Sequence, residues 1–359
     1  MPSGCGSDAD SEDSERWLSA HGADDASYGL LIAGPLGVVS LVQSGFRGHD
    51  VSARPGHPDR AMMFGRKPGR FAIDVDLVEG RIVRRLELAP DRALQGHGCF
   101  TADGSILITS ETDVSTGAGK LVVRDAERFE VLSELDTYGI GPHEIALMPD
   151  ERTIVVANGG IFTLPESGDE PLNLDSMRSS LAYVDLASGA LVDEVLFSEP
   201  KASIRHLDVC DDGTVVCAMQ VQREAMESDA VVPLAFVHRR GEAPRALDAG
   251  LEVVAAMQDY AGSVAVDRQS RVAGVTSPRG NLALFWHVDT GALVGQLELF
   301  DVCGIGVSPD QARFVLTGGN EQVRLLEADT LEPLGQRLGP LPGVRWDNHL
   351  IVLPARSQS

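Results

Sequence analysis

The chain repeats one pattern, in which a polar residue opens an alternating apolar strand and a turn leads into a second apolar strand. Clear copies are "GHGCFTADGSILITSETD" from Gly96 and "IRHLDVCDDGTVVCAMQ" from Ile204. The equivalent positions, 40 to 63 residues apart, are His49, His97, His143, His206, Ser263, Cys303 and His349. A period in the forties is typical of the four-stranded blade of a propeller, a unit that buries its faces only against its neighbours.

Seven repeats predict an all-β chain folded as a single seven-bladed β-propeller. The last repeat has only its first strand, at residues 349–353, whereas the strands within residues 28–43 lack a first strand of their own. We therefore predict that the N- and C-terminal strands share one blade, with 349–353 beside 28–34, because ring closure hides the sheet edges. Residues 1–27 are acidic and poor in apolar residues, so we predict a flexible acidic tether there and the propeller over residues 28–359.

Composition supports this fold class and excludes several kinds of partner. The chain has 38 Gly and 19 Pro, which favours many turns, and only 5% of its residues are aromatic. Its 30 Lys and Arg against 53 Asp and Glu give a formal net charge of −23, so we expect no nucleic-acid partner. No apolar run reaches the ~18 residues of a membrane-spanning helix. We also expect a monomer.

The segment around Cys5 resembles the end of a lipoprotein signal, because small residues precede the cysteine and a polar, acidic stretch follows it. The positively charged and apolar regions of such a signal do not precede it. We therefore expect a protein of the periplasm or cell envelope whose signal is missing from this chain, with Cys5 as a candidate lipid anchor. The five cysteines show no CxxC spacing, so no zinc ribbon is predicted.

The repeat also predicts a site. The first strand of each propeller blade lines the central channel, so the repeated positions should form a ring around one mouth of that channel. Neutral imidazole suits copper, zinc, iron and nickel better than magnesium or calcium. The candidate metal ligands are therefore His49, His97, His143, His206 and His349. A purely structural ring, in which each histidine hydrogen-bonds to the backbone of a neighbouring blade, is the alternative.

Further candidate residues lie where the second strands end and in the loops beside the ring. Candidates for metal contact or for support of the ligands are Glu111, Glu144, Cys303, Asn158 and Gln220. Arginine pairs well with carboxylate and phosphate groups. The candidates for binding an anion are Arg66, Arg178, Arg205 and Arg279.

Longer motifs resemble one bacterial family. They include "FGRKPGRFAIDVD", "GIGPHEIALMPD", "LNLDSMRSSLAYVDLASG" and "SIRHLDV", and they run in order through about residues 45–305. The chain resembles the family called DUF1513, a domain of unknown function. The resemblance implies an exported seven-bladed propeller of the YVTN or quinoprotein-amine-dehydrogenase-like kind. It also implies imelysin-like and di-haem envelope proteins as candidate partners in the handling of iron or another metal.

The residues that carry over from this resemblance are His49, His97, His143, Glu144, Asn158, Arg178, Arg205, His206 and the segment Ser277 to Gly280. The chain departs from the family pattern at "RALQGHG", where an aromatic pair is usual before the histidine, and at "ETD". Both departures touch the predicted mouth of the channel, so the ligand set can differ there in detail.

Three functions remain open at this stage. The favoured one is a cell-envelope protein that binds a transition metal, iron or copper, in metal uptake or handling, without being an enzyme. The second is a metal-dependent enzyme of the lactonase or lyase type that acts on an anionic small molecule, with the metal as Lewis acid. The third is a scaffold for docking other proteins, in which the histidine ring is structural.

Overall fold

Antiparallel strands make up nearly all of the regular structure in the computed structural model, which describes residues 15–22, 27–334 and 340–354. Within these residues the strands form seven sheets, six of four strands and one of three. The sheets are the blades of a β-propeller, so the predicted all-β class and the number of blades are confirmed. The predicted lipid anchor, Cys5, lies outside the described residues.

The chain begins with three strands of one blade: β1 (Arg16–His21), β2 (Gly29–Gly34) and β3 (Gly37–Gln43). Blade 1 follows, with strands β4 (Gly48–Ala53), β5 (Arg60–Gly65), β6 (Phe71–Asp76) and β7 (Arg81–Glu87). Blade 2 has strands β8 (Arg92–Phe100), β9 (Ile106–Asp113), β10 (Ala118–Asp125) and β11 (Val131–Ile140). Blade 3 has strands β12 (Pro142–Leu147), β13 (Thr153–Asn158), β14 (Ser180–Asp185) and β15 (Leu191–Leu196).

The second half of the ring repeats this order. Blade 4 has strands β16 (Ala202–Val209), β17 (Val215–Val221), β18 (Ala235–His238) and β19 (Arg245–Ala246). Blade 5 has strands β20 (Ser263–Asp267), β21 (Val272–Ser277), β22 (Leu282–His287) and β23 (Leu293–Glu298). Blade 6 has strands β24 (Val302–Val307), β25 (Arg313–Gly318) and β26 (Val323–Glu327), and the chain then reaches β27 (Ile351–Leu353).

The last strand closes the ring. Each innermost strand contacts the innermost strand of the next blade, in the order β4, β8, β12, β16, β20, β24, β27 and back to β4. Blade 7 has the strand order β27-β1-β2-β3, so both ends of the chain build it. The prediction that N- and C-terminal strands share one blade is confirmed, and closure leaves the innermost strands with neighbours on both sides.

Two predictions about the N-terminal segment are wrong: which strand lies beside 349–353, and where the tether ends. The strand beside 351–353 is β1, with Trp17 opposite Val352, and the segment near residues 28–34 pairs with β1 instead. All six residues of β1 are buried, because Trp17 and Leu18 pack into the apolar layers on either side of blade 7. Residues 16–21 therefore belong to the propeller and not to a tether over 1–27, and the acidic composition around them concealed the strand.

The apolar core lies between adjacent blades. Blade 7 packs on blade 1 through a layer that includes Leu18, Ile32, Val51 and Met63, and the other blades pack in the same manner. Helical segments are short: α1 (Leu251–Ala256) and two single 3₁₀ turns, at Leu174–Ser176 and Arg223–Ala225. Among the described helices, none has the length and apolar character to cross a membrane.

Candidate metal centre

Register shifts in four of the innermost strands set the side-chain directions of the repeated histidines. The register of β12, for example, shifts between Pro142 and Ile145, and His143 and Glu144 lie inside this bulge. A β-bulge redirects side chains that strict alternation would place on opposite faces. A histidine and the residue after it can therefore both face the channel. Similar shifts occur at or beside the histidine in β4, β8 and β16.

The five predicted ligand residues come together in one buried cluster, which we call the histidine cluster: His49, His97, His143, His206 and His349. The ring centres of the pairs in contact are 4.6 to 6.0 Å apart. All five residues are at most 7% exposed. The propeller symmetry thus brings together residues that are up to 300 positions apart in the sequence, from His49 to His349.

Carboxylates support two of these rings directly. Nδ1 of His49 lies 3.1 Å from Oδ1 of Asp347, and Nδ1 of His206 lies 3.2 Å from Oε2 of Glu144. An ionised carboxylate can only accept, so the His49 ring carries its proton on Nδ1 and leaves the lone pair on Nε2. Glu144 thus lies where the sequence predicted a supporting group. Its carboxylate also accepts a hydrogen bond from the backbone N–H of Leu207.

A third carboxylate, that of Asp50, lies between two rings. Its Oδ2 is 3.4 Å from Nδ1 of His97 and its Oδ1 is 3.8 Å from Nδ1 of His349. Asp50 follows His49 in the sequence and faces the histidine of the next blade, in the same way that Glu144 follows His143 and supports His206. In these two blades, therefore, the residue after the histidine supports the ring of the following blade.

His143 is the one cluster histidine with no carboxylate within 4 Å of its ring nitrogens among the described residues. Gly98 takes the position after His97, and Nδ1 of His143 in the next blade has no hydrogen-bond partner among the described residues. A Cβ atom at Gly98 would lie 2.6 Å from the ring of Phe64. Packing against blade 1 thus excludes a longer side chain at this position, and His143 is left without a carboxylate.

Burial favours the neutral form of four of the cluster histidines. Burial lowers the pKa of His49, His143 and His206 well below the usual 6.5, and the charges of neighbouring histidines and arginines lower it further. Burial also lowers the pKa of His349, to about 4. Burial, with the charge of Asp50 in second place, raises the pKa of Glu144 well above its usual value. Neutral imidazole is the form that binds a metal.

The free ring nitrogens fit a metal better than a structural ring. Nε2 of His49, His97 and His349 is buried and has no hydrogen-bond partner in the described part of the chain. None of the five rings hydrogen-bonds to the backbone of a described residue, as the structural alternative would require. Three overlapping groups have ligand atoms within 4.8 Å of one another: His49–His206–His349, His49–His97–His143 and Asp50–His97–His349. A ring with Nδ1 on a carboxylate and Nε2 free is the usual form of a metal-binding histidine.

A pocket of about 230 Å³ opens onto the cluster at one mouth of the channel. Three cluster histidines form its floor, and its walls carry Arg66, Lys67, Arg205, Gln220, Tyr260 and Arg279. Three of the four predicted anion-binding arginines therefore meet here, as does Gln220. The fourth, Arg178, has an exposed side chain and does not line the pocket.

The basic groups of the pocket differ in their partners. Arg66 reaches the carboxylate of Asp169 at 3.5 Å near the rim, and the guanidinium carbon of Arg279 lies 4.6 Å from the centre of the Tyr260 ring. Burial lowers the pKa of Arg205 to about 10. Burial, followed by the charges of Arg205 and Arg66, lowers the pKa of Lys67 well below its usual 10.5.

Three of the predicted supporting residues make their contacts with residues outside the cluster. Glu111 is buried and pairs with Arg124, with 2.7 Å between its Oε1 and the guanidinium nitrogen. Cys303 packs in the apolar layer between blades 6 and 7, although it occupies a ring position. Asn158 donates a hydrogen bond to the carbonyl oxygen of Thr137 at 2.8 Å. None of the three belongs to the groups whose ligand atoms lie within 4.8 Å of one another.

Four further residues lie at this site and were not predicted from the sequence: Asp50, Asp347, Lys67 and Tyr260. A signal for Asp50 was present, because an acid follows the histidine in "GHD" as it does in "PHE". On the far side of the cluster the channel continues as a cavity of about 450 Å³, which Asp50, Glu144 and His349 line. The histidine cluster thus separates the two ends of the channel.

Comparisons with solved structures show the fold. Hydrazine synthase from Kuenenia stuttgartiensis matches with a TM-score of 0.65 and 14% identity, over 86% of this chain and 92% of that one. A functionally unknown protein from Desulfotomaculum acetoxidans matches with a TM-score of 0.62 and 9% identity, over 95% of this chain and 99% of that one. At such low identity these likenesses show the architecture alone. No protein with a curated description matches the sequence.

The family assignment rests on the sequence itself. The profile of the family described as "Protein of unknown function (DUF1513)" matches residues 42–353, which include every residue of the histidine cluster. The resemblance expected from the motifs is therefore confirmed over residues 42–353: the chain belongs to the DUF1513 family.

Proposed function

We propose that the histidine cluster binds a transition metal ion, iron or copper, and that the protein serves in the uptake or handling of that metal in the cell envelope. One observation carries the proposal: Nε2 of His49, His97 and His349 is buried without a hydrogen-bond partner in the described structure, in a cluster whose ligand atoms approach within 4.8 Å of one another in three overlapping groups. A buried polar atom without a partner costs free energy of about 1–3 kcal/mol, and a metal bound to these lone pairs would offset that cost.

The chemistry of the ligand atoms supports the class of metal. Imidazole nitrogen suits copper, iron, zinc and nickel, whereas magnesium and calcium require oxygen ligands. The carboxylates of Asp50, Asp347 and Glu144 lie behind the rings, where they would orient the histidines and make them more basic. The location and the proposed imelysin-like or di-haem partners are supported by the motifs shared with the family.

The direct test is the metal content of protein prepared without a histidine tag. Protein is treated with chelator, dialysed against Cu(II), Fe(II) or Zn(II), washed, and analysed for bound metal. We expect about one metal ion per chain in the wild type and at least a tenfold loss of affinity in the double variant H143A/H206A. The metal that the protein retains against competition from the other two distinguishes iron from copper.

A matched control separates this site from adventitious binding. His57 and His287 lie outside the cluster, on an exposed turn and at the end of β22. The double variant H57A/H287A removes the same number of imidazoles and should retain metal as the wild type does. Equal retention by H143A/H206A and the wild type would refute the proposal and favour the structural ring with a docking role for this mouth of the channel.

The basic pocket favours a second candidate, a metal-dependent enzyme that acts on an anionic small molecule. Arg205 and Lys67 would hold the anion beside a metal acting as Lewis acid. The test is turnover of anionic lactones and esters by metal-loaded protein. Turnover that H143A/H206A abolishes would establish the enzyme, and metal retention without turnover would leave binding as the function.

A further inference from the structure

One buried positive charge has no counter-charge. Five arginines are buried in the described residues, and four of them pair with a carboxylate: Arg16, Arg54, Arg124 and Arg313. The fifth, Arg205, is 6% exposed, has no ion pair or side-chain hydrogen bond with a described residue, and keeps a buried, unpartnered Nε. A buried charge without a partner is strongly destabilising, so its retention calls for an external partner.

The surroundings of Arg205 specify the charge of that partner. Lys67 lines the same pocket and also has no ion pair within reach among the described residues, while Arg279 lies over an aromatic ring. The one acidic residue that lines this pocket, Asp169, already pairs with Arg66. A chain with a net charge of −23 thus concentrates positive charge around a pocket of about 230 Å³. Such a concentration attracts anions.

The size of the pocket and its floor restrict the ligand further. Pockets for drug-sized ligands measure ~300–1,000 Å³, so this one admits only a small molecule. Its floor consists of His49, His143 and His206, so an anion held by the basic wall would lie against the histidine cluster. Guanidinium groups prefer carboxylate and phosphate oxygens, which they bind in pairs.

We propose that this pocket binds a small oxyanion, a carboxylate or a phosphate, whose oxygens are held by Arg205 and Lys67 at the face of the histidine cluster. This inference rests on the proposed metal site in one respect: the bound metal would share the anion as a ligand. The protein would then carry its metal together with an anion. The anion contacts of Arg205 and Lys67 do not themselves require the metal.

Titration calorimetry with oxalate, citrate and inorganic phosphate tests this, on metal-free and on metal-loaded protein. We expect at least one of these anions to bind saturably, with a lower Kd in the metal-loaded protein. The anion with the lowest Kd identifies the oxyanion class. R205Q and K67Q should each raise the Kd for that anion at least tenfold. R178Q is the matched control, because Arg178 is exposed and does not line the pocket, and it should bind as the wild type does.

The two proposals can fail separately. Metal retention measured without added anion reports on the histidine cluster, and anion binding to the metal-free protein reports on the pocket. Because Arg205 lacks a counter-charge, R205Q should also unfold at the same or a higher temperature than the wild type in the absence of anion. The inference is overturned if none of the three anions saturates either form, or if R205Q and K67Q bind them as the wild type does.

Discussion

Replacement of His349 by glutamine should change how the stability of the metal-free protein depends on pH. The usual pKa of 6.5 applies in the unfolded chain, whereas burial lowers the pKa to about 4 in the folded protein. As the pH falls below 6.5, His349 becomes protonated in the unfolded chain but stays neutral in the folded protein until the pH nears 4. Protonation thus stabilises the unfolded state, and the wild type loses stability. Linkage gives a loss of about 2 kcal/mol between pH 7.5 and pH 5.0 from this residue alone.

H349Q lacks this titrating group. As the pH falls from about 7.5 to about 5.0, its free energy of unfolding should therefore rise by about 2 kcal/mol relative to that of the wild type. The free energy of unfolding is measured by urea denaturation in the presence of a chelator at several pH values. H57Q, at an exposed turn, is the control and should follow the wild type at every pH. A difference between H349Q and wild type that does not change with pH would show that His349 is not buried in its neutral form.

Four further results should follow from the contacts. D50N should weaken metal binding about 10- to 100-fold, because Asp50 supports the rings of two cluster histidines, and competition with a chromogenic chelator measures this. E111Q should leave metal content unchanged but cost about 3 kcal/mol in urea denaturation, because Arg124 loses its buried partner. W17A should cost about 3–5 kcal/mol by the same measurement, because the fully buried indole lies in the strand that joins the two ends of the chain. C303A should retain metal fully in elemental analysis, because this thiol packs in the core. Loss of metal in E111Q or C303A would contradict the structure. So would unchanged metal affinity in D50N or unchanged stability in W17A.

The sequence alone was sufficient for the ring and for its histidines. A repeat with a period in the forties determines the number of blades, because each blade buries its faces only against the next one. The same periodicity places equivalent residues of every blade at equivalent points of the channel. For that reason His49, His97, His143, His206 and His349 could be predicted to meet without any information on their distances.

Only the tertiary structure decided which neighbours of these histidines face the channel. Side-chain direction in a strand alternates with each residue and reverses at a bulge, so Asp50 turns to the cluster while Cys303, at a ring position, turns into the core. The role of β1 depends on its pairing with β27, more than 300 residues away, which its acidic flank conceals. The burial of Arg205 and the exposure of Arg178 likewise depend on the tertiary structure, so two arginines that looked equivalent in the sequence lie in a buried pocket and on the surface.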